Sequence, residues 1–105
     1  MIAVPSLECG GLERNIAWMV NHLDTEVFQT VLLIVNNSKP FFEIKNAAVE
    51  VVDLKAAGAK KAMPSIIEKA NHFRPDIFMA TANHLNLLCA INRRKFPANM
   101  KLIAR

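Results

Sequence analysis

The residue types best suited to chemistry are concentrated near the start of the sequence, in residues 5–14, PSLECGGLER. Gly10 and Gly11 are two of only three glycines in the chain. Glycine lets a ligand oxygen approach the backbone closely, and free N–H groups at the start of a helix favour negative charge. The stretch therefore predicts a site for a phosphate or a sugar hydroxyl, with a simple tight turn as the structural alternative.

The three histidines differ in where they fall along the chain. His84 lies in residues 81–86, TANHLN, between a predicted strand and a predicted helix. It is expected to be either a site residue or a polar cap at the start of that helix. His22 and His72 fall on helical segments and are expected to be structural or surface residues.

The two cysteines, Cys9 and Cys89, lie far apart and have no metal-type spacing. A reduced, cytoplasmic setting suits them best. No base is recognisable near Cys9 in the sequence, so catalysis by its thiol is not expected. Cys89 falls on a largely apolar helix, which is typical of a core residue.

Two familiar phosphate-binding motifs do not fit the glycine pair. CGGLER is not G-x-G-x-x-G, and the second predicted strand ends in Asn36 where a dinucleotide site would have an acid to hold the ribose. No G-K-[ST] follows the glycines, which argues against a Walker-type loop.

Composition places the chain in the globular class. Its 105 residues suffice for one modest core, and 52% are hydrophobic while 21% are charged. The longest apolar runs, such as residues 31–35, are too short to cross a bilayer, and no export-signal pattern opens the chain. The net charge of +4 includes basic clusters at residues 60–61 and 93–95. These indicate a solvated surface, with attraction of an anionic partner as the alternative.

Strand and helix patterns alternate from end to end, and the breaks fall at proline and polar turns. The predicted strands are residues 1–4, 28–35, 49–54, 76–80 and 100–104. The predicted helices begin at Leu12, at about Ala62 and at Leu85, and the last two end at Phe73 and Arg94. The first helix is expected to turn Leu12, Ile16, Met19, Val20 and Leu23 inward, and the second Ile66, Ile67, Ala70 and Phe73.

This alternation predicts an α/β fold, a Rossmann-like three-layer sandwich whose mainly parallel five-stranded sheet is covered on both faces. Pro64 is expected in the first turn of the second helix, and residues 74–75 should end it. The short first strand and the uncovered last one indicate a domain excised from a longer chain.

Ligands of open parallel sheets bind beyond the carboxyl ends of the strands. Residues 6–11, 36–40 and 81–84 form the loops on that side. The glycine pair and His84 therefore belong to the same edge of the predicted sheet.

Four motifs in order resemble the N-terminal domain of retaining glycosyltransferases with the GT-B fold, the large group called family 4 or group 1. They are the glycine loop ending in GGLER, RPDIF at residues 74–78, TANHLN at residues 81–86 and KLIAR at residues 101–105. Together they span nearly the whole chain, and their order and spacing carry the likeness.

The resemblance implies an acceptor-side domain whose partner, a C-terminal donor-binding domain with an E-x7-E motif, has no counterpart in this sequence. It implies transfer of a sugar from a nucleotide-sugar donor, with retention, to a glycan, lipid-linked or small-molecule acceptor. Neither a metal ion nor a cofactor is expected, and the domain alone would be inert. The protein would be cytoplasmic, either free or peripheral at the inner face of the cell membrane, and would not bind nucleic acid.

The resemblance also implies roles for individual residues. Gly10 and Gly11 match the loop that faces the donor, so their N–H groups would touch phosphate or the transferred sugar. His84 matches a position near the reacting sugar and is the catalytic candidate. Glu13, Arg14 and Asn83 are the further candidates for binding donor phosphate or acceptor. Glu13 suits the helix dipole whether or not it binds anything.

Two readings from other classes stay open. The chain could be a non-catalytic Rossmann-type module that binds a nucleotide or another anion, or a membrane-associated interaction domain that uses its basic residues.

Overall fold

Five parallel strands form a single sheet. The computed structural model describes all residues, 1–105. The strands are β1 (Ile2–Val4), β2 (Val31–Ile34), β3 (Glu50–Asp53), β4 (Ile77–Ala80) and β5 (Lys101–Ala104). They lie in the order β3-β2-β1-β4-β5, and every neighbouring pair is parallel. The predicted α/β, Rossmann-like class is confirmed.

Helices cover the sheet from both sides. They are α1 (Gly11–His22), α2 (Ala59–Phe73) and α3 (Asn83–Ile91), and a short 3₁₀ helix (Arg93–Lys95) follows the last. Alternate residues of the central strands point to opposite faces, which separates two cores. One core joins β1 and β2 to Ile16 and Val20 of α1. The other joins the opposite face of the sheet to α2 and α3, through Ile66, Leu85 and Cys89 among others.

The chain changes direction across the sheet between β1 and β4. From β1 it moves through β2 to the β3 edge, and after α2 it returns to β4, on the other side of β1. Such a reversal leaves a crevice beyond the carboxyl ends of the two adjacent strands. Residues 6–11 follow β1 and residues 81–84 follow β4, so both loops border this crevice.

The second strand begins later than predicted. The predicted second strand includes residues 28–30, but Phe28 is 50% exposed and closes a turn. The N–H groups of Val27 and Phe28 donate to the Asp24 carbonyl at 3.2 and 2.9 Å, and the Asp24 carboxylate accepts the N–H of Glu26 at 2.9 Å. The aspartate turn outweighs the strand propensity of the apolar residues.

The helix boundaries differ from prediction at two places. Because α2 begins at Ala59, Pro64 lies inside the helix and not in its first turn. Alanine and lysine are strong helix formers, and they carry the helix back to Gly58. Similarly, α3 starts at Asn83 and ends at Ile91 instead of running to residue 94.

The connection between β2 and β3, residues 35–49, contains no helix. This crossover segment breaks the regular alternation that the sequence suggested. It still covers the α1 face of the sheet, because Phe42 and Ile44 pack against the core formed with α1. Specific side-chain bonds to α1, described below, take the place of helical packing.

Helices flank both faces as predicted, but on the α1 face the two edges of the sheet remain exposed. Register places Val51 of β3 and Ile103 of β5 on the same face as Ile2 of β1. Val51 and Ile103 are 43% and 45% exposed, and Ile77 of β4 is 44% exposed. A single helix and the crossover segment shield the centre of this face and leave its two edges open.

Candidate functional site

A buried threonine links the end of β4 to β1. Thr81 follows β4 directly and is fully buried. Its backbone N–H and its hydroxyl both donate to the carbonyl of Ala3 in β1, at 3.1 and 2.9 Å. Ala3 also pairs in register with Ala80. The loops that leave β1 and β4 therefore start side by side from a fixed point.

One wall of the crevice is the start of α1. Gly10 is the N-cap residue, and no side chain caps the helix. Its φ of −173° is extended backbone that any residue adopts, so the conformation does not demand glycine. At Gly11 no atom beyond its chain neighbours and its own helix lies within 4 Å of the place a Cβ would take. The tight-turn alternative therefore finds no support in the backbone, and Gly11 offers open space.

Glu13 modifies the electrostatics of this wall. Its carboxylate lies against Gly10, where a side chain at that position would otherwise stand. A carboxylate at the first turn of a helix complements the positive end of the dipole. An anion approaching α1 must therefore approach from the Gly11 side or displace Glu13.

The other wall is the start of α3. Ala82 precedes it with φ 71° and ψ 143°, a conformation that L-residues rarely adopt and that costs about 1–3 kcal/mol. Asn83 and His84 lie in the first helical turn and are exposed. No side chain caps α3, because Ala82 occupies the N-cap position. The interpretation of His84 as a polar cap is therefore wrong.

An unsatisfied amide lies in the same helical turn. Asn86 donates through Nδ2 to the Arg105 carbonyl at 2.7 Å, whereas its Oδ1 is buried without a hydrogen-bond partner. Buried polar atoms without a partner are rare. Asn86, two residues after His84 in TANHLN, is not among the site residues predicted from the sequence.

In the loop after β2, the side chain of Asn36 is committed to structural hydrogen bonds. Asn36 donates through Nδ2 to the Ala56 carbonyl at 3.0 Å and accepts the N–H of Ser38 at 2.9 Å. The N–H of Asn37 donates to the Asp53 carboxylate at 3.2 Å. The side chain that a ribose would need is thus committed, which agrees with the sequence argument against a dinucleotide site.

Arg14 stands apart from the crevice residues. It lies in the first turn of α1, but its exposed side chain lines a groove with Trp18 and Phe41 on the flank of the helix. Gly10, Gly11 and Glu13 thus follow β1, and Asn83 and His84 follow the adjacent strand β4. The structure assigns Arg14 to a different surface.

The remaining histidines and the cysteines serve packing or the surface. The Nδ1–H of His22 donates to the Trp18 carbonyl at 2.7 Å, and His72 lies edge-on to Phe73. Cys9 is exposed and Cys89 is buried in the core, as the sequence predicted for the latter. Burial raises the pKa of the Cys89 thiol to about 11, so the thiol is neutral and unreactive.

Three further findings bear on function. No group of three or more histidine, cysteine or acidic side chains is placed to hold a metal ion. None of the helices combines the length and apolar character needed to span a bilayer. Comparisons with protein-family models, with curated proteins and with solved structures found no match. The function of this chain must therefore be argued from its own residues.

Proposed function

We propose that this chain is the acceptor-side half of a retaining glycosyltransferase that uses a nucleotide-sugar donor. The observation that carries the proposal is the strand order, which places the loop with Gly10 and Gly11 and the turn with Asn83 and His84 after the carboxyl ends of the neighbouring strands β1 and β4. These are the residues of the motifs that resemble the glycosyltransferase group. Support comes from the topology, because the two motifs follow neighbouring strands although at least 71 residues lie between them in sequence.

The walls suit the charge that sugar transfer develops. When the bond from the sugar to the diphosphate breaks, negative charge builds on the leaving oxygens, and oriented donors are needed there. The free N–H groups at the start of α1 supply such donors, and the missing side chain at Gly11 lets a phosphate or a sugar approach them.

The opposite wall suits the sugar itself. His84 is exposed in the first turn of α3, where its ring can hydrogen-bond a hydroxyl of the transferred sugar. The strained backbone of Ala82 fixes where this turn begins, and strain of this kind is concentrated at functional sites.

A second candidate is a non-catalytic nucleotide- or anion-binding module. The two helix starts without side-chain caps favour it, because each offers free N–H groups. The Glu13 carboxylate against Gly10 and the committed amide of Asn36 count against tight binding of a nucleotide by this chain alone.

Titration of the ¹⁵N-labelled chain with uridine diphosphate separates the two candidates. As a transferase half, the chain lacks the domain that holds the donor nucleotide, so the Gly10 and Gly11 amide signals should show no saturable shift. A binding module should give saturable shifts at both glycines. Saturation at micromolar nucleotide would overturn the transferase proposal in favour of the module.

A further inference from the structure

A groove with a volume of about 660 Å³ runs along the flank of α1. It lies between the helix and the crossover segment. Its volume is in the range of sites for small ligands. The side chains that define it are Arg14, Trp18, His22, Phe41, Glu43 and Lys45.

Two asparagines link the outer wall of the groove to α1. Asn21 of α1 donates to the Glu43 carbonyl at 3.0 Å and accepts the N–H groups of Lys45 and Asn46 at 2.7 and 3.2 Å. Asn46 donates in return to the Val20 carbonyl of α1 at 3.2 Å. The outer wall of the groove is therefore bonded to the helix before any ligand arrives, which lowers the entropic cost of binding.

Two aromatic side chains face solvent at the groove. Trp18 is 65% exposed and stacks on His22 with 4.5 Å between ring centroids. Phe41 is also 65% exposed and lies edge-on to Phe42 at 4.9 Å. Their neighbours hold both rings in place, and an exposed aromatic patch of this kind marks a binding surface. The C–H face of a pyranose packs on such rings while its hydroxyls stay in contact with polar groups.

The charges at the groove favour an anionic ligand. Arg14 and Lys45 are exposed cations, and Glu43 is the single carboxylate among the lining residues. The guanidinium of arginine matches a carboxylate through two parallel hydrogen bonds. The net positive charge of the groove complements a sugar chain that carries carboxylates. The Glu43 carboxylate can accept hydrogen bonds from the hydroxyls of that chain.

We propose that the flank groove binds an acidic glycan chain, with sugar rings on Trp18 and Phe41 and carboxylates at Arg14 and Lys45. Aromatic rings that face solvent beside two cations and a carboxylate match the mixed apolar and polar surface of a sugar chain. That the bound glycan is the acceptor rests on the proposed function, whereas the binding does not. Binding is measured on this chain alone and sugar transfer on the complete protein, so either can fail independently of the other.

Trp18 supplies the direct readout, because it is the only tryptophan in the chain. Its fluorescence is followed while the protein is titrated with a hyaluronan hexasaccharide, which alternates uronic acid and N-acetylhexosamine, and with neutral maltohexaose. We expect a saturable change with the acidic hexasaccharide and an apparent affinity for maltohexaose at least tenfold weaker. No change with the acidic hexasaccharide, or equal responses to both, would overturn the proposal.

Matched variants locate the site. The double variant R14Q/K45Q should weaken binding of the acidic hexasaccharide at least tenfold. The double variant K60Q/K61Q removes the same charge from α2, on the opposite face, and should leave the affinity unchanged. Equal losses of affinity in the two variants would show that binding depends only on net charge, which would contradict the proposed site. A blue shift of Trp18 emission with equimolar phosphatidylglycerol and phosphatidylcholine vesicles, without a response to the hexasaccharide, would assign the surface to lipid instead.

Discussion

The hydroxyl of Thr81 and the carbonyl of Ala3 are joined by a buried hydrogen bond of 2.9 Å, although 78 positions separate the two residues in sequence. The same carbonyl accepts the Thr81 N–H at 3.1 Å. These two hydrogen bonds to one carbonyl oxygen fix the end of β4 against β1. The walls of the crevice thus diverge from a rigid base.

Replacing Thr81 with valine tests how much the hydrogen bond from its hydroxyl contributes to stability. Valine keeps the branched shape but loses the hydroxyl, and the Ala3 carbonyl retains the bond from the backbone N–H. We expect a loss of about 1 kcal/mol in the free energy of unfolding, measured by urea denaturation. Thr81→Ser keeps the hydroxyl but loses a buried methyl group, so comparison of the two variants separates the hydrogen bond from packing. A valine variant as stable as the parent protein would show that the bond contributes nothing.

Replacing Gly11 with alanine separates stability from ligand contact. The added methyl enters open space at the first position of α1, and alanine restricts the unfolded chain. We expect the free energy of unfolding to rise by about 0.5 kcal/mol. In the complete protein, the same methyl should lower the rate of sugar transfer at least about tenfold, which corresponds to about 1.4 kcal/mol. Unchanged transfer would remove Gly11 from the site.

Replacing Asn21 with alanine should loosen the crossover segment. The change removes three hydrogen bonds to residues 43–46 and should cost about 2 kcal/mol in unfolding free energy. Asn15→Ala makes the same chemical change at an exposed position of the same helix and should cost less than about 0.5 kcal/mol. Thermal denaturation of both variants measures the difference, and similar midpoints would contradict the role given to Asn21.

The buried thiol of Cys89 predicts a pH dependence. Its pKa is about 11 in the folded protein, compared with an ordinary value of 9.0. The unfolded chain therefore loses this proton first, and the stabilising contribution is complete below pH 9 and declines as the pH rises toward 11. The unfolding free energy of the parent protein relative to that of Cys89→Ala should shrink over this range. A difference that stays constant with pH would contradict the buried, neutral thiol.

The fold could be predicted from sequence because its signals are local. Apolar strands alternate with helical periodicity, and only a parallel sheet accommodates that pattern. The inward positions Ile16, Val20, Ile66 and Ala70 are confirmed as buried. The helix before residue 75 ends at Phe73, as proline rules predict.

The parts that could not be predicted depend on long-range hydrogen bonds. The crossover segment has no helical or strand period, and its path is set by Asn21 and Asn46, whose partners lie more than 20 residues away. One local signal was available for the groove. Trp18 falls outside the apolar stripe of α1, where a large aromatic side chain must remain exposed.

The most direct test of the proposed function is the turnover of nucleotide sugars by the protein expressed from its complete reading frame. Release of nucleoside diphosphate is measured across a panel of nucleotide sugars, and NMR determines the anomeric configuration of the product. We predict turnover with retention, a kcat at least about a hundredfold lower for His84→Ala, and no change for His72→Ala on the surface of α2. Absence of turnover with every nucleotide sugar, or equal effects of the two histidine variants, would contradict the proposal.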